Sequence, residues 1–223
     1  MLVSCWSAKG GSGTTVVAAA LASVLERRNE GALLVDAAGD LPAVLGVPEP
    51  DGPGLTEWLA AGPAVPADAL ARLEVPVRPG LRLVPRGSMP LAHPERAEVL
   101  AAVLASDGRA VVVDVGTVPA TPGAGVAGEV ARVLAASATR SLLVTRGCYL
   151  SVRRAGLVPV HPSGVVLLAE RGRALGRVEV EHALGAPVLA EVPVEPEVAR
   201  AADSGLLGRR VPRTLDRALR RAA

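Results

Sequence analysis

Short apolar runs alternate along this chain with longer segments in which apolar residues recur at helical spacing. The apolar runs predict β-strands at residues 2–8, 32–36, 81–85, 110–115, 140–145, 164–169 and 188–192. The segments between them predict helices, the clearest at residues 14–29, 55–61, 94–106 and 125–136. This alternation predicts an α/β fold with a mainly parallel sheet, because right-handed crossovers place helices on both faces of such a sheet.

Composition favours strands that are covered on both faces. Hydrophobic residues make up 50% of the 223 residues, yet aromatic residues make up 1% and phenylalanine is absent. A core of valine, leucine and alanine is typical of parallel strands buried between helices. Residues 46–66 are rich in proline and glycine, and we interpret them as an excursion within a single domain that spans residues 1–223.

Charge, cysteine content and the start of the chain exclude several classes of protein. A formal net charge of +2 indicates no polyanionic partner for the molecule as a whole. Cys5 and Cys148 lie far apart, which argues against a disulfide scaffold or structural zinc site and fits a reducing cytoplasm. The first residues run directly into a glycine loop, unlike a signal peptide, and no apolar run could span a bilayer. We expect a cytoplasmic protein, with peripheral attachment at the inner membrane face left open.

A glycine-rich loop at residues 9–15 lies between the first predicted strand and the first long helix. In that context glycines let successive backbone N–H groups surround phosphate oxygens, and the helix adds its own unpaired N–H groups. The predicted phosphate-binding residues are Gly10, Gly11, Ser12, Gly13, Thr14 and Thr15. Thr15 can also place its hydroxyl on Mg²⁺, although small polar residues here also fit a plain helix cap.

The loop lacks one positive charge. The usual phosphate-loop pattern has lysine where Thr14 stands, so the site should bind or turn over nucleotide less well than a full P-loop. Lys9 is the sole lysine among the 24 basic residues. A single lysine inside this loop indicates a site where a compact ammonium is wanted, with chance placement as the alternative.

The loop resembles the deviant Walker A motif of the ParA/MinD family of P-loop ATPases. Other segments that resemble this family are residues 33–36, 53–59, 80–85, 111–114 and 186–193. The resemblance implies a single-domain P-loop NTPase that binds ATP or ADP with Mg²⁺ and forms a homodimer on ATP binding. It also implies that Lys9 reaches across the dimer to the phosphates of the partner subunit, and that 111–114 is the Walker B strand.

Three departures from the family pattern bear on function. Thr14 replaces the P-loop lysine, the acidic stretch after Asp36 is shortened, and the asparagine that reads adenine corresponds to Ala169 or Glu170. Loss of the P-loop lysine is shared by the CpaE/TadZ-like branch, which is linked to localising pilus machinery. The chain looks closest to that branch, although it lacks the branch's extra N-terminal receiver-like domain.

Three carboxylates are candidates for catalysis or metal binding. Asp114 ends a buried apolar run, and we interpret it as an outer-shell Mg²⁺ ligand facing Thr15, with a turn-capping residue as the alternative. In the resemblance, Asp36 helps to activate water. Asp40 could share that role or serve only as a turn residue.

The C-terminal residues 209–223 carry many arginines. Residues 209–221 predict a basic amphipathic helix whose apolar face is Leu215, Ala218, Leu219 and Ala222. Such a helix could lie on an anionic membrane, contact nucleic-acid phosphates, or dock on the sheet with solvated arginines. The sequence leaves these alternatives open, and docking is the interpretation we favour.

The leading hypothesis from the sequence is an ATP-binding, dimerising switch. It would position a partner machine of a pilus or secretion, division or partition apparatus, with weak or partner-stimulated ATP hydrolysis. One alternative is a catalytically inactive pseudo-ATPase scaffold. Another is a partition protein that binds DNA or a membrane surface through its arginines.

Overall fold

A computed structural model describes residues 1–29, 31–62, 65–121 and 125–223. The predicted excursion at 46–66 includes residues 63 and 64, which lie outside the described residues. The strands are β1 (Leu2–Ser7), β2 (Ala32–Asp36), β3 (Val75–Arg78), β4 (Leu81–Val84), β5 (Ala110–Thr117), β6 (Arg140–Arg146), β7 (Gly164–Ala169) and β8 (Val188–Pro193). The α-helices are α1 (Thr14–Glu26), α2 (Leu41–Leu45), α3 (Leu55–Ala60), α4 (Ala97–Ala105), α5 (Gly125–Ala136), α6 (Tyr149–Ala155), α7 (Arg177–Leu184), α8 (Pro196–Asp203) and α9 (Arg213–Leu219).

The eight strands form one sheet in the order β3-β4-β2-β5-β1-β6-β7-β8. All neighbouring pairs are parallel except β3 with β4, so the predicted α/β fold with a mainly parallel sheet is confirmed. The sequence analysis missed β3. Pro76 interrupts its apolar alternation, and proline is tolerated there because β3 is an edge strand.

Apolar side chains alternate between the two faces of the sheet. On β5, Val111 and Val113 belong to the core that also contains apolar residues of α3, α4, α5 and α6. Their neighbour Val112 points to the opposite core, where residues of α1, α2 and α9 pack. Both faces of the central strands are therefore buried under helices, which explains their nearly continuous valine and leucine composition.

The C-terminal helix is shorter than predicted. The prediction placed a helix over residues 209–221, but α9 begins at Arg213, directly after Pro212. Proline has no backbone N–H and a fixed φ, so it suits a helix start and is disfavoured in a helix interior. A similar difference affects the predicted helix at 94–106, which opens with a 3₁₀ turn at Pro94–Arg96 before α4.

The apolar side of the C-terminal segment is packed into the protein. Leu215, Leu219 and Ala222 are fully buried in the core beside α1 and β8. Asp216 pairs with Arg27 of the α1 C-terminus and with Arg220. The segment is thus docked on the sheet, and its apolar face cannot also insert into a membrane. Within the described residues, no helix combines the length and the hydropathy that crossing a bilayer requires.

Candidate functional site

A cavity of about 650 Å³ opens at the carboxyl ends of the central strands. Its floor is the glycine loop at residues 10–15, which connects β1 to α1. Its other walls come from the segments that follow β2, β4 and β5 and from one side of α5. Ligands of open α/β sheets bind at this position, so the fold places the predicted phosphate loop where a ligand can reach it.

The glycine loop has an open inner surface. Gly11 and Gly13 adopt φ angles of 74° and 77°, which disfavour residues with a side chain. A Cβ atom on Gly11 would meet nothing within 4 Å. Gly13 is the N-cap of α1 and no side chain caps this helix, so the plain helix cap considered for Thr14 and Thr15 is not observed. The loop and the first turn of α1 therefore offer backbone N–H groups to an anion.

The outer side of the same loop is fixed by hydroxyl groups. Ser12 Oγ donates to the Lys9 carbonyl at 2.6 Å, and Ser7 Oγ donates to the same carbonyl at 3.2 Å. Ser7 belongs to β1, so these bonds tie the loop to the end of that strand. The loop is thereby preorganised, and a ligand would not have to order it.

Asp114 lies in β5 directly before Val115, a residue of the cavity wall, and has no exposed surface. Its Oδ1 accepts the Gly116 N–H at 3.2 Å, while its buried Oδ2 has no hydrogen-bond partner among the described residues. Burial above all raises the pKa of Asp114 to about 7, the nearby Asp36 charge raises it further, and the neighbouring Thr15 hydroxyl opposes the shift. Gly116 belongs to β5, which continues to Thr117, so this bond lies within the strand and Asp114 is not the strand-terminal turn cap of the alternative interpretation. Its second oxygen remains available for a cation.

Asp36 and Asp40 have different surroundings. Asp36 is fully buried, and its two oxygens accept the N–H groups of Gly39 at 2.6 Å and Leu41 at 3.0 Å. Burial raises the pKa of Asp36 to about 6 against the effect of these bonds. Asp36 therefore fixes the loop after β2 and does not line the cavity, whereas Asp40 is exposed on that loop and does line it.

Lys9 lies on the outer side of the glycine loop. Its Nζ is 3.5 Å from the Gly10 carbonyl oxygen, and the residue is not part of the cavity lining. The pKa of the Cys148 thiol is lowered by a hydrogen bond with Ser151 and, to a smaller degree, by the charges of Arg173 and Lys9. The ammonium group therefore lies near the start of α6. Thr14, by contrast, lines the cavity and brings no charge to it.

Glu170 is engaged by two arginines. It follows the last residue of β7, and its carboxylate pairs with Arg146 and Arg173. These partners, the Arg173 hydrogen bond foremost, lower the pKa of Glu170. Glu170 does not line the cavity, and its assignment to nucleobase binding stays a prediction.

The sequence analysis missed one residue of the cavity wall, Arg86. It stands two residues after the end of β4, next to the predicted strand at 81–85. A signal was present, since residues just beyond the carboxyl end of a parallel strand tend to face the ligand. The signal could not be used without the strand order, which places β4 beside β2 and two strands further than β5 from β1, the strand that leads into the glycine loop.

Comparison with solved structures supports the fold assignment. The chain is similar to a ParA family ATPase from Chlorobium tepidum TLS (22% identity, TM-score 0.74, 98% of this chain and 96% of the other covered). It is also similar to the septum site-determining protein MinD from Pyrococcus horikoshii OT3, solved with Mg-ADP (20% identity, TM-score 0.76, coverage 99% and 93%). MinD in the MinC:MinD complex of Aquifex aeolicus is a third similar structure (20% identity, TM-score 0.71, coverage 92% and 86%).

The family comparison concerns the sequence itself. No curated protein matches the sequence. The family model described as the CobQ/CobB/MinD/ParA nucleotide binding domain matches residues 3–207, which include every strand and the whole glycine loop. With that match and with the cavity at the end of β1, this chain belongs to the CobQ/CobB/MinD/ParA nucleotide-binding domain family.

Proposed function

We propose that this protein binds ATP or ADP with Mg²⁺ in the cavity and acts as a dimerising switch that positions a partner machine. The observation that carries the proposal is the open glycine loop with a buried, incompletely paired carboxylate beneath it. Glycine-loop N–H groups suit phosphate oxygens, and Mg²⁺ suits a site with a hydroxyl, a carboxylate and substrate phosphates.

The residues around Asp114 fit a magnesium ion. Asp114 has a buried oxygen without a partner among the described residues, and burial, with the nearby Asp36 charge, raises its pKa. Thr15, at the start of α1, would hold the ion through its hydroxyl, and Asp114 would act from the outer shell. When bound, the ion would neutralise part of the charge on the phosphates. The protein's own contribution is to hold the Thr15 hydroxyl close to the buried Asp114 carboxylate.

Dimerisation is supported by the position of Lys9. Its ammonium group lies outside the cavity of its own subunit, on the side of α6. The first residues of α6, Tyr149 and Leu150, expose 73% and 44% of their surface, so they offer large side chains that a second subunit could cover. In the proposed dimer Lys9 contacts the phosphates held by the partner subunit, and α6 contributes to the interface.

The proposed partner and the slow hydrolysis rest on the similar structures and on the residue at position 14. The similar structures include cell division and partition proteins, which supports a partner in a division or partition apparatus. The resemblance to the CpaE/TadZ-like branch adds a pilus or secretion apparatus as the alternative. The missing lysine at position 14 supports placement near the CpaE/TadZ-like branch and slow or partner-stimulated hydrolysis. Asp40, which lines the cavity, is the candidate for positioning water, and Asp36 holds the loop that carries it.

Calorimetric titration with ATP, ADP and GTP, with and without Mg²⁺, tests the proposal, and light scattering follows the mass. We expect Mg-ATP to bind and to shift the mass to that of a dimer. Lys9→Ala should weaken ATP-dependent dimerisation by about tenfold or more, because it removes a charge-assisted contact made only in the dimer. Binding to the monomer should change little. Absence of heat with every nucleotide would reject the proposal.

A second candidate function is contact with DNA through the C-terminal arginines. Arg209, Arg210 and Arg213 are exposed and line one depression together with Arg27 and Arg78. A cluster of exposed arginines can contact several DNA phosphates, and such contacts weaken as the salt concentration rises.

The second candidate requires substitutions, because deleting the segment would remove buried Leu215 and Leu219. Changing Arg209, Arg210 and Arg213 to serine should leave the melting temperature nearly unchanged and lower the slope of log K against log salt by about 3. Fluorescence anisotropy with a short duplex measures that slope. The matched control is serine at Arg153, Arg171 and Arg200, which removes the same charge elsewhere. A native protein that binds no duplex at low salt would contradict this candidate.

A further inference from the structure

Arg86 brings a positive charge to the cavity. Among the described residues that line the cavity, it is the one with a cationic side chain. The glycine loop on the cavity floor contributes Thr14, where the family pattern has lysine. The cationic side chain of the cavity wall therefore comes from the segment after β4 and not from the glycine loop.

The guanidinium group of Arg86 forms no ion pair or hydrogen bond with the described residues. None of the ion pairs found among the described residues includes Arg86. Its Nε is buried and has no hydrogen-bond partner within the described part of the chain. A buried donor without a partner costs free energy, and such groups occur where a ligand completes them.

The backbone at Arg86 is held firmly by α3. The Arg86 carbonyl accepts the Thr56 N–H at 2.8 Å and the Thr56 hydroxyl at 3.0 Å. Just beyond it, the Glu57 carboxylate accepts the N–H groups of Ser88 at 2.8 Å and Met89 at 3.1 Å. Arg86 is thus presented from a fixed segment, which lowers the entropic cost of using it to bind a ligand.

The stem of Arg86 is also aligned by the loop after β2. A Cβ atom on Gly39 would lie 3.2 Å from Arg86 Cδ, so the glycine allows that loop to pack against the stem. Gly39 has a φ of 107° and donates its N–H to Asp36. The buried Asp36 therefore supports Arg86 through this loop.

We propose that Arg86 supplies the phosphate-neutralising charge that Thr14 cannot, by contacting the terminal phosphates of a nucleoside di- or triphosphate. This inference rests on the proposed nucleotide binding. A guanidinium suits the role, because its planar set of donors matches phosphate oxygens and stays charged at any physiological pH. Asp40, on the same cavity, is the competing partner for Arg86. In that alternative, Arg86 would form an ion pair with Asp40 that stabilises the loop after β2, and it would not contact the phosphates.

Affinities for ATP, ADP and AMP distinguish these two roles. Arg86→Met keeps the stem that packs on Gly39 and removes the charge, and Arg86→Lys keeps the charge. We expect Arg86→Met to weaken ATP binding by about 10- to 100-fold and AMP binding by less than about threefold, with Arg86→Lys between. Arg200→Met, an exposed arginine on α8, should change none of the affinities. Asp40→Asn should leave ATP affinity the same or higher if Arg86 serves the phosphates.

Restoring the missing lysine provides an independent readout. Thr14→Lys added to Arg86→Met should recover about tenfold or more in ATP affinity, and the same change in the native protein should gain less. Thr214→Lys, at an exposed threonine of α9 outside this cavity, is the control for adding a lysine. Native-like ATP affinity in Arg86→Met, or equal losses for ATP and AMP, would overturn the role of Arg86 while nucleotide binding stands. A native protein without nucleotide affinity would overturn the proposed function itself.

Discussion

Asp114→Asn is expected to stabilise the ligand-free protein and to impair its use of Mg²⁺. At about pH 8 we expect the melting temperature to rise by about 2–6 °C. The gain from removing the buried charge, about 1.4 kcal/mol for each unit of pKa shift, is offset in part because the asparagine amide is itself a buried polar group. In the same variant Mg²⁺ should no longer improve ATP affinity, a loss of about tenfold or more. The reason is that the native protein buries a carboxylate with one oxygen that has no partner among the described residues.

The pH dependence of this effect follows from the direction of the pKa shift. The pKa of Asp114 rises from 3.8 to about 7 on folding, so the folded protein binds more protons than the unfolded chain between these values. The stability that Asp114 contributes is complete below the lower pKa and is lost as the pH rises to the upper one. The advantage of the Asp114→Asn variant over the native protein should therefore grow from about pH 4 to about pH 7 and then level off.

Thermal melting from acid to alkaline pH, with and without Mg-ATP, measures both effects. With Mg-ATP the order should reverse, because a ligand that binds only the folded state adds RT ln(1 + [L]/Kd) of stability, and Asp114→Asn raises the Kd for Mg-ATP. Asp203→Asn, at an exposed carboxylate on α8, should show neither effect. If the native protein and Asp114→Asn had parallel pH profiles, Asp114 would not be a strained carboxylate waiting for a cation.

Most of the fold could be predicted because its strands are buried on both faces. A run such as Val111–Val113 cannot be a half-exposed strand, and its length does not suit a helix. The glycine loop could be placed for a related reason, since a strand, a glycine loop and a helix in succession define the carboxyl edge of a parallel sheet. That edge also brings Thr15 and Asp114 together, because β1 and β5 are neighbours.

The remaining features depend on which elements are neighbours, and a single sequence does not contain that information. Arg86 reaches the cavity only because β4 lies beside β2. Asp36 and Asp40 have the same chemistry in the sequence, and the turn between them decides that one is buried and the other exposed. An amphipathic segment such as α9 has the same pattern whether it faces a membrane or a sheet, so only the observed burial of Leu215 decides between them.

Gly54→Ala is expected to produce the largest loss of stability, about 3 kcal/mol, with a fall of about 6–12 °C in melting temperature. Gly54 is the N-cap of α3 and has an extended backbone that alanine could also adopt. The constraint is contact: a Cβ atom there would lie 2.4 Å from both the Gly87 nitrogen and the Pro85 carbonyl oxygen. Both contacts are with backbone, so no side-chain rotation can relieve them.

Relief requires α3 to move away from residues 85–89, and the site should suffer with the fold. The movement would break the bond from the Leu55 N–H to the Pro85 carbonyl, 2.9 Å long, and release the segment that presents Arg86. It would also disturb Glu57, where burial raises the pKa but the bonds from Gly54 and Ser88 outweigh it and hold the pKa at about 2. ATP affinity measured well below the melting temperature should fall as it does in Arg86→Met.

Gly52→Ala is the matched control for this prediction. It lies two residues away in the same proline- and glycine-rich loop, and a Cβ atom there would meet nothing within 4 Å. We expect its melting temperature to stay within about 1 °C of the native value, since surface substitutions away from packed contacts are nearly neutral. Equal melting temperatures for the two variants would show that α3 does not hold the β4 segment. If Gly54→Ala were destabilised but kept native ATP affinity, the packing of α3 on residues 85–89 would not be needed for Arg86 to bind the phosphates.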